Sequence, residues 1–482
     1  MAPRSERVQS EATSRAPAAR PGALLLANAR AVSIRRSAAV FLVASLVVGV
    51  HVFPGCAPLV PGGEPPDEQA PGMPSYQRPE PDPELQRAWA EVVEAAPLVR
   101  VGLERDVDNV SISADGPYRL TVYSESVETF DAGGGDVWHL SVGGAGLRGR
   151  AARESFNVRA GTVRAALVDG SFLSVNETAY RGEVEVFLDS SGGLSVVNII
   201  DLESYLRGVV PLEIGPRPMA ELEAVKAQAV AARTYALASG GKRAGGDYDM
   251  HATVADQVYG GVPAEHETSD RAVLETAGLA VTWGGEPVVA YFHANCGGRS
   301  EARHEVWEME EVPYLASTWD TPGGIRNLEK AYCSEGSGFT WRVEWSGREL
   351  DRLVADRLHS TASTPVEETP GRLRNLRVTE RTPSGRVKWL EVETDAGTWR
   401  IYGDRCRWLL RRDGDRILRS SWYDLDVERR GGHVTRVVAN GRGYGHGVGM
   451  CQHGALERAR QGYSYIDILS AYYRGTSVRR VY

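Results

Sequence analysis

The sequence predicts an α+β protein: a β-rich N-terminal lobe, then a mixed α/β core, with a cleft between lobes. Three observations carry that prediction. From "LVRVGLERDVDNVSISADGPYRLTVYS" at Leu98 to "GEVEVFLDSSGGLSVVNII" at Ile200, short alternating apolar runs are separated by Asp, Gly and Ser turns. That is the period-two pattern of half-buried strands. The period then changes. "DLESYLRGVV" sets Leu202, Tyr205, Leu206 and Val209 at i, i+3, i+4 and i+7, one face of a helix. After a second helical stretch, "LAVTWGGEPVVAYFHANC" returns to strand-like runs. A chain of 482 residues has room for two or three domains.

The elements follow in order. Arg35-Arg36 precede an uncharged stretch, Ser37 to Cys56. A basic region, an apolar core and a small residue before a cysteine read as an export signal. "FPGC" approximates a bacterial lipoprotein box, with Cys56 as the lipidated residue. The alternative is an uncleaved membrane anchor, because the stretch is nearly long enough to span a bilayer. Either way the protein is expected to be exported and tethered to the membrane of the cell envelope, where cysteines can pair. Residues 1–56 are thus signal and anchor. Residues 57–95, rich in proline and acid, are expected to be a disordered tether. The β-rich lobe takes 96–198 and the core 199–335, with an α/β insert at 336–432. Residues 433–482 complete the cleft. Net charge is −8 and no Lys/Arg run stands out, which argues against a nucleic-acid partner.

The first core helix has Asp201 as its expected N-cap and is expected to stop at Pro211. Glu213 then lies in a turn, among Val209, Val210, Pro211, Leu212 and Ile214. Desolvation in such a setting raises a carboxyl pKa and suits it to general acid work. The bland alternative is an acid favoured by the dipole of the next helix. That helix, "MAELEAVKAQAVAARTYALAS", is expected to bury Leu222, Val225, Ala229, Ala232 and Ala236 on one face, and Gly240-Gly241 to stop it. Gln228 and Arg233 sit among its alanines. If buried they need partners, either a ligand or adjacent loops.

"GRGYGHGVGMCQHGA" has five glycines between Gly441 and Gly449, which permit positive φ and close backbone approach. It lacks the Lys-Ser/Thr of a phosphate loop, and no cofactor is expected. His446 is a candidate ligand contact, and Gln452 could face the cleft. His453 and Glu457 read as a solvated i, i+4 pair. Ser464-x-x-Asp467 is a capping box. His293, Cys296, His304 and Cys333 suggest zinc or a disulfide, without the usual metal spacing. Export favours a Cys296–Cys333 disulfide. No metal is expected, with His293 and His304 as weak candidates. Cys406 and Cys451 remain as a second pair or as buried thiols.

Six stretches carry a resemblance: "DLESYLRGVVPLEI", "ELEAVKAQAVAARTYAL", "DQVYGG", "TAGLAVTWGGEPVVAYFHANCGGRSE", "VPYLASTWD" and "GRGYGHGVGMCQHGALERARQGYSYIDILSAYYRGT". In this order, across about residues 98–480, they resemble the stage II sporulation protein D (SpoIID) and amidase-enhancer (LytB) family. The resemblance implies a SpoIID-type core and lytic cleavage of peptidoglycan glycan strands, particularly strands stripped of stem peptides. It implies that Glu213, in "GVVPLE", is the catalytic acid. Gln228, Arg233, Tyr259, His446 and Gln452 become candidate substrate-groove residues. The family also implies an alternative: a non-catalytic murein-binding protein that stimulates a wall amidase.

Overall fold

The computed structural model describes residues 83–144, 146–240, 247–412 and 415–482. The expected export segment 1–56, with Cys56, and the tether as far as residue 82 lie outside them. The rest of the expected tether is ordered: Pro83–Ala95 is a helix, α1. Its Trp89 lies under the Arg207 guanidinium, 4.6 Å from the ring centre. An apolar ring with a cationic partner draws this proline- and acid-flanked segment onto the core.

Thirteen strands, all but one from the region between Leu98 and Asp201, make two sheets. The seven-stranded sheet centres on Leu98–Val107, Leu194–Asp201 and Glu183–Leu188, and its outer strand Met250–His251 comes from later in the chain. The six-stranded sheet centres on Asn109–Ala114 and Trp138–Gly143. Alternate residues of both sheets, among them Ile112, Leu120, Trp138, Leu140, Val163 and Val186, form one core. Strand Leu194–Asp201 is buried on both faces, its second face in a small cluster with Tyr248. It ends at Asp201, whose carboxylate accepts from Ser204 N at 2.8 Å and so opens the next helix as expected.

The core is helical at its centre. It contains α2 (Leu202–Ile214), α3 (Leu222–Gly240, after a short 3-10 turn), α4 (Glu267–Glu275) and α5 (Arg303–Val306). It is completed by α8 (Gln452–Arg460) and α9 (Tyr465–Tyr472). Pro211 does not stop α2, which runs on to Ile214 and ends at Gly215, φ +82°. A proline inside a helix costs about 3 kcal/mol. Burial of Val209, Val210 and Ile214 offsets that locally, at about 1.5–3 kcal/mol per side chain. α3 is buried well beyond one face: Ala224 to Thr234 is almost wholly enclosed, because small side chains let α2, α4, α8 and α9 approach on several sides.

The third core joins α6 (Gly347–Thr361) and α7 (Arg405–Leu409) to two three-stranded sheets. Strand His433–Arg442 pairs with Thr340–Ser346 and Tyr423–Arg430 inside this lobe. The first ten residues of the expected segment 433–482 thus pair with strands of the expected insert. Among the described residues, no helix is long and apolar enough to cross a membrane.

Candidate active site

Glu213 sits in the last turn of α2, fully buried. Its Oε1 accepts from the Val258 backbone N–H at 3.1 Å, and its Oε2 has no hydrogen-bond partner among the described residues. Burial pushes its pKa up to about 8, against the smaller opposing effect of the Val258 N–H. The acid is thus enclosed, with the Val258 segment against its carboxyl and Gln452 against its main chain. The Gln452 side chain donates to the Glu213 carbonyl oxygen (3.1 Å) and to Gln228 Oε1 (3.2 Å). Three polar atoms in this chain of contacts have no hydrogen-bond partner among the described residues: Glu213 Oε2, Gln228 Nε2 and Gln452 Oε1. Gln228, Gln452 and Glu213 are the candidates the structure brings together.

It does not bring the others. Arg233 makes a fully buried bidentate pair with Glu203, at 2.8 and 2.6 Å, and also reaches the Leu279 carbonyl. Its guanidinium is spent on the core and not on a groove. Tyr259 is also internal: its hydroxyl donates to Asn198 Oδ1 at 2.9 Å, and its ring meets those of Tyr180 and Tyr205 and packs against Gly208. His446 is enclosed by the Tyr291, His293 and Trp307 rings. Its Nδ1 accepts from Val448 N at 3.0 Å. Burial, then the neighbouring His293, holds its pKa well below the usual histidine range, so it is a neutral imidazole. His453 bonds Ser337 Oγ, while Glu457 pairs with Arg460, so the expected His453–Glu457 pair is not formed.

The cysteines depart furthest from expectation. Cys296 and Cys333 are thiols with sulfurs 3.4 Å apart, not a disulfide. Cys451 joins them, while Cys406 lies in the third core, so of the two readings for Cys406 and Cys451 the structure has buried thiols and not a second pair. Burial opposes ionisation of all three clustered thiols. Hydrogen bonds from Cys296, Cys333 and His293 nevertheless hold Cys451 well below the usual thiol range, while Cys296 and Cys333 are pushed up. Asp320 completes the group; burial, then the Cys451 charge, pushes it up to about 7. His304 is on α5, beside Glu305, and His293 Nδ1 is bonded to the Val448 carbonyl. Asp320 had no sequence signal beyond its place in "STWD".

Residues 190–283 match the family model SpoIID, stage II sporulation protein, and residues 301–449 match a domain of unknown function, DUF8618. An uncharacterized protein of Brachyspira hyodysenteriae is 29% identical over 308 residues, 63% of this chain and 73% of that one. The amidase enhancer of Bacillus subtilis is 30% identical over 302 residues, 57% of this chain but only 40% of the enhancer. Stage II sporulation protein D of Bacillus subtilis is 27% identical over 320 residues, 63% of this chain and 81% of the relative. The matched residues 190–283 contain the Glu213 helix and the alanine-rich helix that encloses Gln228, and with these relatives they support the similarity to the SpoIID/LytB family.

Proposed function

We propose that this protein is a cell-wall lytic transglycosylase acting on peptidoglycan glycan strands, with peptide-denuded strands as its substrate and Glu213 as general acid and then base. The observation that supports this reading is the burial of Glu213 with one oxygen unpaired and its pKa near 8. Such a carboxyl keeps its proton at neutral pH, as an acid must before it can protonate a glycosidic oxygen.

In the first step the Glu213 proton moves to the glycosidic oxygen as the C1–O bond breaks, leaving positive charge at C1 and a carboxylate nearby. In the second, the muramyl C6 hydroxyl attacks C1 and closes the 1,6-anhydro ring. Its proton returns to Glu213. One carboxyl serves both steps, so no second carboxylate at hydrolase spacing is needed. Because Glu213 is enclosed, the strand reaches it only when the Val258 segment or the loop before α8 moves aside. The leader expected at Ser37–Cys56 puts this chemistry outside the cytoplasm, on a membrane tether.

The test is product analysis. Denuded glycan strands are incubated with the native protein and with Glu213→Gln, and the fragments are weighed. The expected result is 1,6-anhydro-muramyl ends from the native protein alone. Equal yield from both proteins overturns the assignment of Glu213.

The closed state of Glu213 and the similarity to an amidase enhancer favour a second reading, in which the chain binds murein and stimulates a partner amidase. Under it neither protein yields anhydro ends, and both stimulate a wall amidase equally.

A further inference from the structure

The base of the glycine-rich loop gathers arginines without acids. Arg299, Arg386, Arg419 and Arg442 stand on separate segments, and none of them forms an ion pair among the described residues. In a chain of net charge −8 they are a local excess of positive charge. Aromatic rings and main chain bring them together. The Arg442 guanidinium lies 5.5 Å from the centre of the Trp422 ring and 5.6 Å from that of Phe339. Arg386 lies over the same Trp422, at 4.9 Å, and Arg419 over Tyr444, at 5.3 Å. The Arg419 carbonyl accepts from Gly445 N at 2.8 Å, which ties it to the loop. Gly297, φ +71°, leaves room for Arg442, because a Cβ there would stand 3.2 Å from Arg442 Cγ. Three of the four arginines fall within residues 301–449, the match to a domain of unknown function.

Packing accounts for two of them. Arg386 is buried and donates to the carbonyls of Cys296 (2.8 Å) and Arg299 (3.0 Å) and to Ser384 Oγ (3.0 Å). Arg299 donates to the Pro383 carbonyl. Arg419 and Arg442 differ. Both are half-buried, and their side chains make no hydrogen bond among the described residues. Nη1 of Arg442 is shielded from solvent with no acceptor. Glu301, the acid whose charge acts on Arg386, is taken by the Ala302 N–H and by the Thr382 and Ser384 hydroxyls. A guanidinium that gives up water and gains no acceptor costs free energy, which a bound anion offsets.

We infer that Arg419 and Arg442, with the rings of Tyr444, Trp422 and Phe339, bind a carboxylate on a glycan strand: the lactyl carboxylate of a muramyl residue that has lost its stem peptide. The inference rests on the glycan reading proposed above and extends it from the site of cleavage to the choice of strand. An attached stem peptide makes the lactyl carboxyl an uncharged amide. Its hydrolysis leaves one carboxylate on each muramyl unit, the only charge on a denuded strand. A guanidinium offers paired N–H donors that match both oxygens of a carboxylate. Aromatic faces beside it suit the apolar faces of sugar rings. Contacts lead from this place to the acid. Tyr444 lies against Gly338, whose added Cβ would stand 2.9 Å from Tyr444 Cβ. Ser337 Oγ bonds His453 Nε2 at 3.2 Å, and His453 follows Gln452, which holds Glu213.

The test measures binding, not cleavage, on the full chain carrying Glu213→Gln so that strands stay intact. Three soluble ligands are compared: denuded strands, the same strands with their carboxylates coupled to methylamine, and a phosphodiester wall polymer. Methylamide coupling is expected to raise Kd about tenfold. Added salt is expected to weaken binding of denuded strands and to leave the coupled ones nearly unchanged. Arg419→Gln with Arg442→Gln is expected to raise Kd for denuded strands about tenfold and to leave Kd for coupled strands unchanged, a difference that a merely structural loss does not produce. Arg436→Gln, on the same strand as Arg442 and paired with Glu344 and Glu428, is expected to change neither. The comparison of ligands on one protein decides even if the double variant does not fold. Equal affinity for denuded and coupled strands overturns the inference and leaves the glycan reading standing. Binding to neither overturns both. Tighter binding of the phosphodiester polymer than of denuded strands overturns the assignment of the carboxylate.

Discussion

The Gln452 side-chain amide donates to the main-chain carbonyl of Glu213 at 3.1 Å, joining the start of α8 to the last turn of α2 across 239 residues. Leucine at 452 keeps the bulk and removes the donor. It leaves a buried carbonyl unpaired, and Gln452→Leu is expected to cost about 1–3 kcal/mol in urea denaturation and to lower any glycan cleavage with it. Unchanged stability would mean that the carbonyl finds another donor.

Glu213 makes stability depend on pH in a stated direction. Its folded pKa is raised, from 4.5 to about 8. Below pH 4.5 both states are protonated and the group contributes nothing. Between 4.5 and 8 the unfolded chain releases the proton and the folded one keeps it, so stability falls as pH rises, then levels off. Glu213→Gln is expected to match the native protein near pH 4 and exceed it by a few kcal/mol at pH 8.5, in parallel denaturation series. A constant difference across the series would contradict the raised pKa. For the proposed reaction the same group gives an activity that declines above pH 8.

Arg233 separates a core role from a groove role. Arg233→Met abandons the buried Glu203 carboxylate and is expected to destabilise by about 3–5 kcal/mol. Adding Glu203→Met is expected to recover much of that loss, although Gly278 N then loses its acceptor. Full stability in the single variant with weakened glycan binding would return Arg233 to the groove.

Trp89 tests the docking of α1. Arg207 keeps its ion pairs with Glu265 (2.7 Å) and Asp270 (3.0 Å) whether or not the indole is present. Trp89→Ala is therefore expected to cost only about 0.5–1 kcal/mol in thermal unfolding, without loss of cooperativity. A larger loss would make α1 part of the core.

Local rules were legible where the residue and its partner lie close in sequence. Asp201 caps α2, and Ser464 with Asp467 forms the capping box before α9. The alternating runs before Asp201 became strands. Pro211 misled because its neighbours' burial outweighs its helix-breaking cost, a balance set by partners far along the chain. The unusual setting of Glu213 was readable from five aliphatic neighbours, but its enclosure was not, since Val258 and Gln452 supply it. Gln228 and Arg233 were rightly marked as needing partners. Only the fold shows that one bonds Gln452 and the other Glu203. The thiol cluster was hidden by distance: 155 residues separate Cys296 from Cys451.

The strand Ser477–Arg480 pairs with Leu279–Trp283, and the Tyr482 hydroxyl reaches Glu203 at the start of α2. A core that opens near residue 200 is therefore closed by residues 477–482. While the chain is being made, the Glu203–Arg233 pair lacks the Tyr482 donor and the sheet its edge. Closure of this core waits for residues 477–482 to emerge, so a nascent chain that lacks them cannot hold the finished core.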